Sequence, residues 1–127
     1  MSVENTTEFQ QDKDEQAAVF GALADPTRLK LVKLLCRQRD PDALCVNALA
    51  GLLGVTQSAV SQHLRVLRSI GLVRGERRGY HIHYFVKQDT LERCRKLTSA
   101  ALSIEEPAEQ NACKNCNEGR KQNVSRE

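Results

Sequence analysis

The stretch GVTQSAVSQHLRVL, residues 54–67, decides the fold of this 127-residue chain. Gly54 is suited to end a short helix predicted over residues 46–53, because glycine adopts the left-handed conformation that helix ends favour. Thr56 is suited to cap a second helix, predicted over residues 57–69, because its side chain can accept a hydrogen bond from a free backbone amide. Two short helices joined by so tight a turn are typical of a helix-turn-helix.

The second of these helices has two faces of different chemistry. At 100° per residue its apolar arc holds Val60, Leu64 and Leu67, flanked by Ala59, His63 and Val66. Its polar arc holds Gln57, Ser58, Ser61, Gln62, Arg65 and Arg68. An ordinary solvent-facing arc mixes acids with bases, since oppositely charged neighbours support a helix. This arc contains no Asp or Glu, and Gln, Ser and Arg are side chains that read base edges or bind phosphates.

A hairpin follows the helix pair. Residues 72–86 switch to a hydropathy period of two, which predicts a strand over 72–77, a turn at Arg78-Gly79 and a second strand after it. The side chains predicted to share one face of the second strand are Tyr80, Ile82, Tyr84 and Val86. Arg77 and Arg78 lie at the tip, where they can reach the DNA backbone or the minor groove. The alternative is that these charges only protect a strand edge.

Charge segregation supports a polyanion partner. Residues 26–96 carry fourteen Lys or Arg against five acids, while residues 1–25 carry one Lys against six acids. The basic middle of the chain is thus the part that contains the helix pair and the hairpin. The residues expected to contact DNA are Thr56, Gln57, Ser58, Ser61, Gln62, Arg65, Arg68, Arg77 and Arg78.

The length of the chain predicts one domain. We expect an acidic, disordered segment over residues 1–14, a DNA-binding and dimerisation domain over 15–104 and a polar, cysteine-containing tail over 105–127. No apolar run approaches the ~18 residues of a membrane span, and no secretory signal is recognisable, so a cytoplasmic protein with reduced thiols is expected.

Three more helices flank the motif. The first is predicted over residues 15–24 and the last over 90–103. Between them Asp25 and Pro26 start a helix that runs to about residue 37. The predicted apolar face of the first helix is Ala17, Phe20 and Ala24, and that of the helix after Pro26 is Leu29, Val32, Leu35 and Cys36. The expected fold is mostly α with a small β-hairpin: a winged helix-turn-helix of five helices and a two-stranded wing.

The segments LCVNAL (44–49), GVTQSAVSQHLRVL (54–67) and GLVRGERRGY (71–80) resemble the ArsR/SmtB family of winged-helix repressors, as does LADPTR (23–28) before them. The resemblance covers residues 15–103. It implies a homodimer joined by the first and last helices. It also implies binding to a palindromic operator and release by an inducer that is often a toxic metal or metalloid. It does not imply an enzyme, and we find no Gly-rich phosphate loop, nucleophile elbow or paired-carboxylate signature.

The inducer-binding pattern departs from that family. Arsenic-sensing members carry Cys-Val-Cys where this chain has Cys45-Val46-Asn47, so the second thiolate is missing. Zinc-sensing members place Asp and His on the last helix, where this chain has Asp89 but no His. His63, His81 and His83 are expected to have packing or surface roles, with metal ligation as the alternative.

Cysteines remain as candidate ligands. The thiols that could bind a soft ion are Cys113, Cys116, Cys45 and Cys94, whereas Cys36 is expected in the core. A Cys-x-x-Cys pair suits a thiophilic metal or a metalloid such as As(III), or a reversible disulfide. The function predicted is a repressor that needs no cofactor to bind DNA and leaves it when such an ion binds. The alternatives are a repressor switched by cysteine oxidation and a protein-interaction adaptor.

Overall fold

Across residues 2–39 and 43–104, which the computed structural model describes, the chain forms five helices and one two-stranded antiparallel sheet. The elements in chain order are α1 (Ser2–Leu23), α2 (Pro26–Arg37), α3 (Val46–Leu53), α4 (Gln57–Ser69), β1 (Val73–Arg78), β2 (His81–Val86) and α5 (Gln88–Ala101). This confirms the predicted winged helix-turn-helix. No helix in these described ranges is long and apolar enough to cross a membrane.

The turn between α3 and α4 has the predicted chemistry. Gly54 follows α3 with φ of 68°, a left-handed conformation that favours glycine. The Thr56 hydroxyl accepts a hydrogen bond from the Ala59 amide at 3.1 Å, which satisfies one of the free donors at the start of α4. Asp25 caps α2 in the same way, accepting from the Thr27 amide at 2.8 Å. These three helix boundaries were predictable because a local residue determines each of them.

One apolar core joins the helix pair to the wing. Val60, Leu64 and Leu67 of α4 are buried, which confirms the predicted apolar arc. They belong to a cluster that also contains Leu31 and Leu35 of α2, Leu49 of α3, Leu72, and Tyr84 and Val86 of β2. The position of α4 relative to the wing is therefore fixed by shared burial.

The predicted face of α1 was wrong, and the helix begins earlier than expected. Its buried side chains are Gln16, Val19 and Ala22, whereas Phe20 is 39% exposed. The helix starts at Ser2, within the segment expected to be disordered. No proline or glycine precedes Gly21, and the segment is rich in Glu and Gln, which are good helix formers. α1 packs against α5, and this long-range contact selects the face that is buried.

The predicted face of α2 was also wrong in part. Leu35 is buried as expected, but the second buried residue is Leu31, while Leu29 is 48% exposed and Cys36 is exposed. Apolar residues surround much of this helix, so two overlapping stripes satisfy the helical period equally well. Packing against α3 and α4 selects the stripe that contains Leu31.

The wing and α5 are each shifted slightly from their predicted bounds. Val73 pairs with Val86 and Arg78 with His81, so the turn falls at residues 79–80, one residue later than expected. Gly79 has φ of 68°, which the tight turn requires. Tyr80 is 98% exposed and Ile82 half-exposed, because the part of the hairpin that precedes Tyr84 extends beyond the core. α5 begins at residue 88 instead of 90.

We expect Leu64→Ala to destabilise the protein by about 2–5 kcal/mol, since it leaves a cavity at the centre of the core. The measurement is the free energy of unfolding from chemical denaturation. Leu52→Ala is the matched control, because Leu52 is 62% exposed and its truncation should change stability by less than about 0.5 kcal/mol. Equal effects of the two variants would contradict the assignment of Leu64 to the core.

Candidate nucleic-acid interface

The polar arc of α4 faces solvent along its whole length. Its six side chains, which we call the recognition arc, are all exposed: Gln57, Ser58, Ser61, Gln62, Arg65 and Arg68. Thr56, also exposed, precedes them. Burial of Leu64 and its apolar neighbours on the opposite side of α4 fixes this orientation. The helix therefore presents amides, hydroxyls and two guanidinium groups, without a carboxylate, to any partner.

A contact that sequence reasoning missed holds α4 against the first two helices. Arg28 Nη1 lies 3.3 Å from His63 Nδ1, on the flank of α4. Because a guanidinium can only donate, His63 Nδ1 accepts this bond. Arg28 Nε also donates to the Ala22 carbonyl at 2.6 Å, near the end of α1. His63 thus has a packing partner, as expected, and Arg28 links α1, α2 and α4.

The same residue shapes the electrostatics of the α2 cap. The Arg28 backbone amide donates to the Asp25 carboxylate at 3.1 Å, and this bond is the largest cause that lowers the pKa of Asp25 below its ordinary value. Desolvation is the next largest effect and opposes this shift, whereas the Thr27 amide and, by smaller amounts, nearby positive charge lower the pKa further. Asp25 is therefore ionised at neutral pH and remains an effective cap.

The arginines of the wing differ in their surroundings. The guanidinium carbons of Arg74 and Arg78 lie 4.7 and 4.9 Å from the centre of the Phe85 ring, within the range of cation–π contact. Glu76 pairs with both, at 3.2 Å and 3.5 Å. Arg77 projects from the opposite face of β1 and is exposed. Arg77 is therefore better placed than Arg78 to meet a phosphate.

The cysteines named as candidate ligands occupy separate places. Cys45 is half-buried at the start of α3 and lines a groove of about 360 Å³ between α4 and the wing. Cys94 is buried in the core on α5 and lines a different cavity, of about 320 Å³, between α1 and α5. Cys113 and Cys116 lie outside the described residues. Within the part of the chain that the structure describes, no three or more metal-ligating side chains come together.

Burial also changes the chemistry of Cys94. Desolvation raises the pKa of its thiol, and the charge of Arg93 lowers it by a smaller amount. A raised pKa decreases the thiolate fraction, and the thiolate is the form that binds metals. Asp89, also on α5, accepts a hydrogen bond from the Thr90 amide at 2.8 Å in the first turn. The structure brings Cys45 and Cys94 to different cavities of the protomer.

A solvent-facing, acid-free helix beside a basic hairpin, both held on one core, defines a winged helix-turn-helix DNA-binding protein. The sequence profile described as "Bacterial regulatory protein, arsR family" matches residues 25–74, from the α2 cap into β1. The chain belongs to this family, ArsR/SmtB, as the resemblance implied. The relatives are transcriptional regulators, which agrees with the expectation that the chain is not an enzyme.

Two relatives and one solved structure illustrate the family. The transcriptional repressor SmtB homolog of Synechocystis sp. is 47% identical over 70 residues, which are 55% of this chain and 50% of that protein. The uncharacterized HTH-type transcriptional regulator MJ1325 of Methanocaldococcus jannaschii is 33% identical over 87 residues, which are 68% of this chain and 94% of that protein. The chain thus spans half the length of the first relative and nearly all of the second. Further relatives are named for mercury and cadmium resistance.

The solved structure is a homodimeric winged helix-turn-helix DNA-binding domain from Mycobacterium bovis, described as a possible ArsR-family transcriptional regulator. It is 29% identical to this chain, with a TM-score of 0.56, and the match covers 69% of this chain and 79% of that domain. The fold of this chain is therefore that of a known class of DNA-binding dimers. The individual DNA contacts and metal ligands stay predictions.

We expect Arg77→Ala to weaken binding to every DNA sequence and to reduce the slope of log affinity against log salt by about one unit. The measurement is fluorescence anisotropy with promoter DNA over a range of salt concentrations. Arg95→Ala, which removes the same charge from an exposed site on α5, should leave the slope unchanged. A slope that Arg77→Ala does not change would exclude the tip of the wing from the interface.

Gln62→Ala should act differently, because an amide in the recognition arc can pair with an adenine edge. We expect a loss of about 1–3 kcal/mol on the preferred DNA and a smaller loss on random DNA. The control is Gln11→Ala, which removes an exposed amide from α1 and should change the affinity for neither DNA. Equal losses on both DNAs would show that Gln62 contacts only the backbone.

Proposed function

We propose that the protein is a homodimeric repressor that binds operator DNA through the recognition arc and the tip of the wing. The observation that carries this proposal is the exposed, acid-free arc of α4 beside Arg77. The DNA-contact set proposed is the one expected from the sequence: Thr56, Gln57, Ser58, Ser61, Gln62, Arg65, Arg68, Arg77 and Arg78. A regulator of this kind acts on the chromosome, which for a bacterial or archaeal cell means the cytoplasm.

Dimerisation has support at the α1–α5 end of the molecule. Phe20 on α1 and Leu102 and Ile104 after α5 are exposed apolar side chains. Exposed apolar side chains of this size on the first helix and just after the last helix are suited to burial against a second copy. The similar domain from Mycobacterium bovis is homodimeric. A two-fold dimer would place its recognition helices in successive major grooves, with half-sites about 10 bp apart.

The inducer proposed is a thiophilic metal or metalloid bound by cysteine thiolates. Cys113 and Cys116 supply a spaced thiol pair in sequence, and Cys45 supplies an accessible thiol beside α4. Cys94 is the weakest candidate, because burial raises its pKa. Binding would release DNA only if the ion prefers a dimer geometry that fits the operator poorly.

Oxidation is a second candidate signal. Cys36, Cys45 and Cys94 are free thiols, and Cys36 is exposed. Oxidation of accessible thiols to a disulfide or sulfenic acid would change the protein at its cysteines without a metal. A protein-interaction adaptor is less well supported, because an adaptor has no need of an acid-free helix face.

We expect As(III), Cd(II) or Hg(II) to release reduced protein from promoter DNA, as measured by anisotropy. Cys113→Ser/Cys116→Ser should abolish the release if the tail holds the inducer, and Cys36→Ser should not. Release that survives the double substitution would move the site to Cys45 and Cys94.

Two results would contradict parts of the proposal. Tight DNA binding that none of these ions weakens, but that mild peroxide does, would replace the metal signal by oxidation. If the protein bound no DNA duplex even at low salt, the result would contradict the proposed repressor function and favour a protein-interaction adaptor.

A further inference from the structure

Cys45 and His83 face each other at the base of the wing. They form an isolated antiparallel bridge between the segment before α3 and β2. The Tyr84 amide donates to the Leu44 carbonyl at 3.1 Å. The two residues therefore lie between ladder bonds as a non-hydrogen-bonded pair, the arrangement in which facing side chains are closest. Their Cβ atoms are expected to be about 4.5–5.5 Å apart.

His83 has an unmet hydrogen-bonding need. Its Nδ1 atom is buried, and among the described residues it has no hydrogen-bond partner. An unpaired buried polar atom costs about 1–3 kcal/mol, so a group that binds His83 Nδ1 would relieve that cost. Glu76, which faces His83 from β1, is paired with Arg74 and Arg78.

The Gln38 side chain, close to this pair, already has hydrogen-bond partners. The Gln38 side chain donates to the Tyr84 carbonyl at 2.5 Å and accepts from the Leu44 amide at 3.0 Å. It bonds both segments that carry the Cys45–His83 pair and therefore fixes their spacing. The pair is thus held by backbone pairing and by one half-buried amide, and neither Cys45 Sγ nor His83 Nδ1 takes part in these bonds.

We propose that Cys45 and His83 bind one soft cation of low coordination number, of the Cu(I) or Hg(II) class, at the base of the wing. The Cys45 thiol loses its proton to solvent on binding, and the resulting thiolate and neutral His83 Nδ1 each donate one electron pair. Bonds of roughly 2.0–2.3 Å to nitrogen and sulfur span a facing pair with this Cβ separation. Two ligands suffice for such an ion, and no third ligating side chain joins them within the described ranges.

The site connects the two elements that contact DNA. Cys45 caps α3, which leads into α4, and His83 belongs to β2 of the wing. Cys45 also lines the groove between α4 and the wing, together with Gln57 of the recognition arc and His81, whereas His83 is not among the lining residues. A bond from Cys45 to His83 through an ion would fix the angle between wing and α4. Its effect on the operator rests on the repressor function proposed above, but the binding of the ion does not.

Ion binding is tested first, in full-length protein carrying Cys113→Ser/Cys116→Ser so that the tail cannot compete. Cu(I) affinity is measured by competition with a chromophoric chelator. We expect one ion per protomer, and at least a tenfold loss of affinity in Cys45→Ser and in His83→Asn. Cys36→Ser and His81→Asn are the matched controls and should stay within twofold of the parent. Full affinity in His83→Asn, or an equal loss in His81→Asn, would overturn the inference.

A second measurement needs no substitution at the pair. X-ray absorption of the Cu(I)-loaded protein should show one sulfur and one nitrogen ligand, whereas two or more sulfur ligands would overturn the inference. Operator binding then separates the two proposals. Cu(I) held by the pair without any loss of DNA affinity would keep the site and exclude induction by this ion. Release by an ion whose effect survives both Cys45→Ser and His83→Asn would keep the repressor and assign its inducer to a different site.

Discussion

Burial of the apolar arc of α4 is the constraint on which the rest of the molecule depends. Val60, Leu64 and Leu67 can leave water only if α4 lies on α2 and α3 in one rotational setting. That setting determines which side chains face outward. The wing enters the same core through Tyr84 and Val86, so the helix that would read bases and the hairpin beside it share a single support.

The elements that sequence predicts best are those in which independent local signals agree. In α4 the Thr56 cap, the glycine before it and a clear 3.6-residue period all indicate the same helix and the same buried face. α2 lacks that agreement, because its apolar residues surround the helix and both Leu29 and Leu31 fit a stripe. Tertiary contacts with α3 and α4 decide between them, and no local rule contains those contacts.

The residues of the candidate site were likewise predictable only where the sequence itself carries the signal. The recognition arc was found from composition, since an acid-free helix face is visible in the sequence itself. Arg28 was missed because its partner His63 is 35 residues away, and its role exists only once α1, α2 and α4 are assembled. The stacking of Arg74 and Arg78 on Phe85 was missed for the same reason, although the pairing register of the hairpin places these residues on one face.

The contacts of Arg28 bear on how a signal would reach the recognition arc. Arg28 binds the carbonyl of Ala22 in α1 and the imidazole of His63 in α4, so a shift of α1 relative to α2 must be accommodated at the flank of the recognition helix. Arg28 is therefore a contact through which a displacement of the end of α1 would bear on the flank of α4. A change at Cys45 and His83 needs no such contact, because those residues already lie at the junction of α3 and the wing. An ion at the base of the wing would therefore act on the DNA-reading elements directly, and an event at the dimer end would act on them through Arg28.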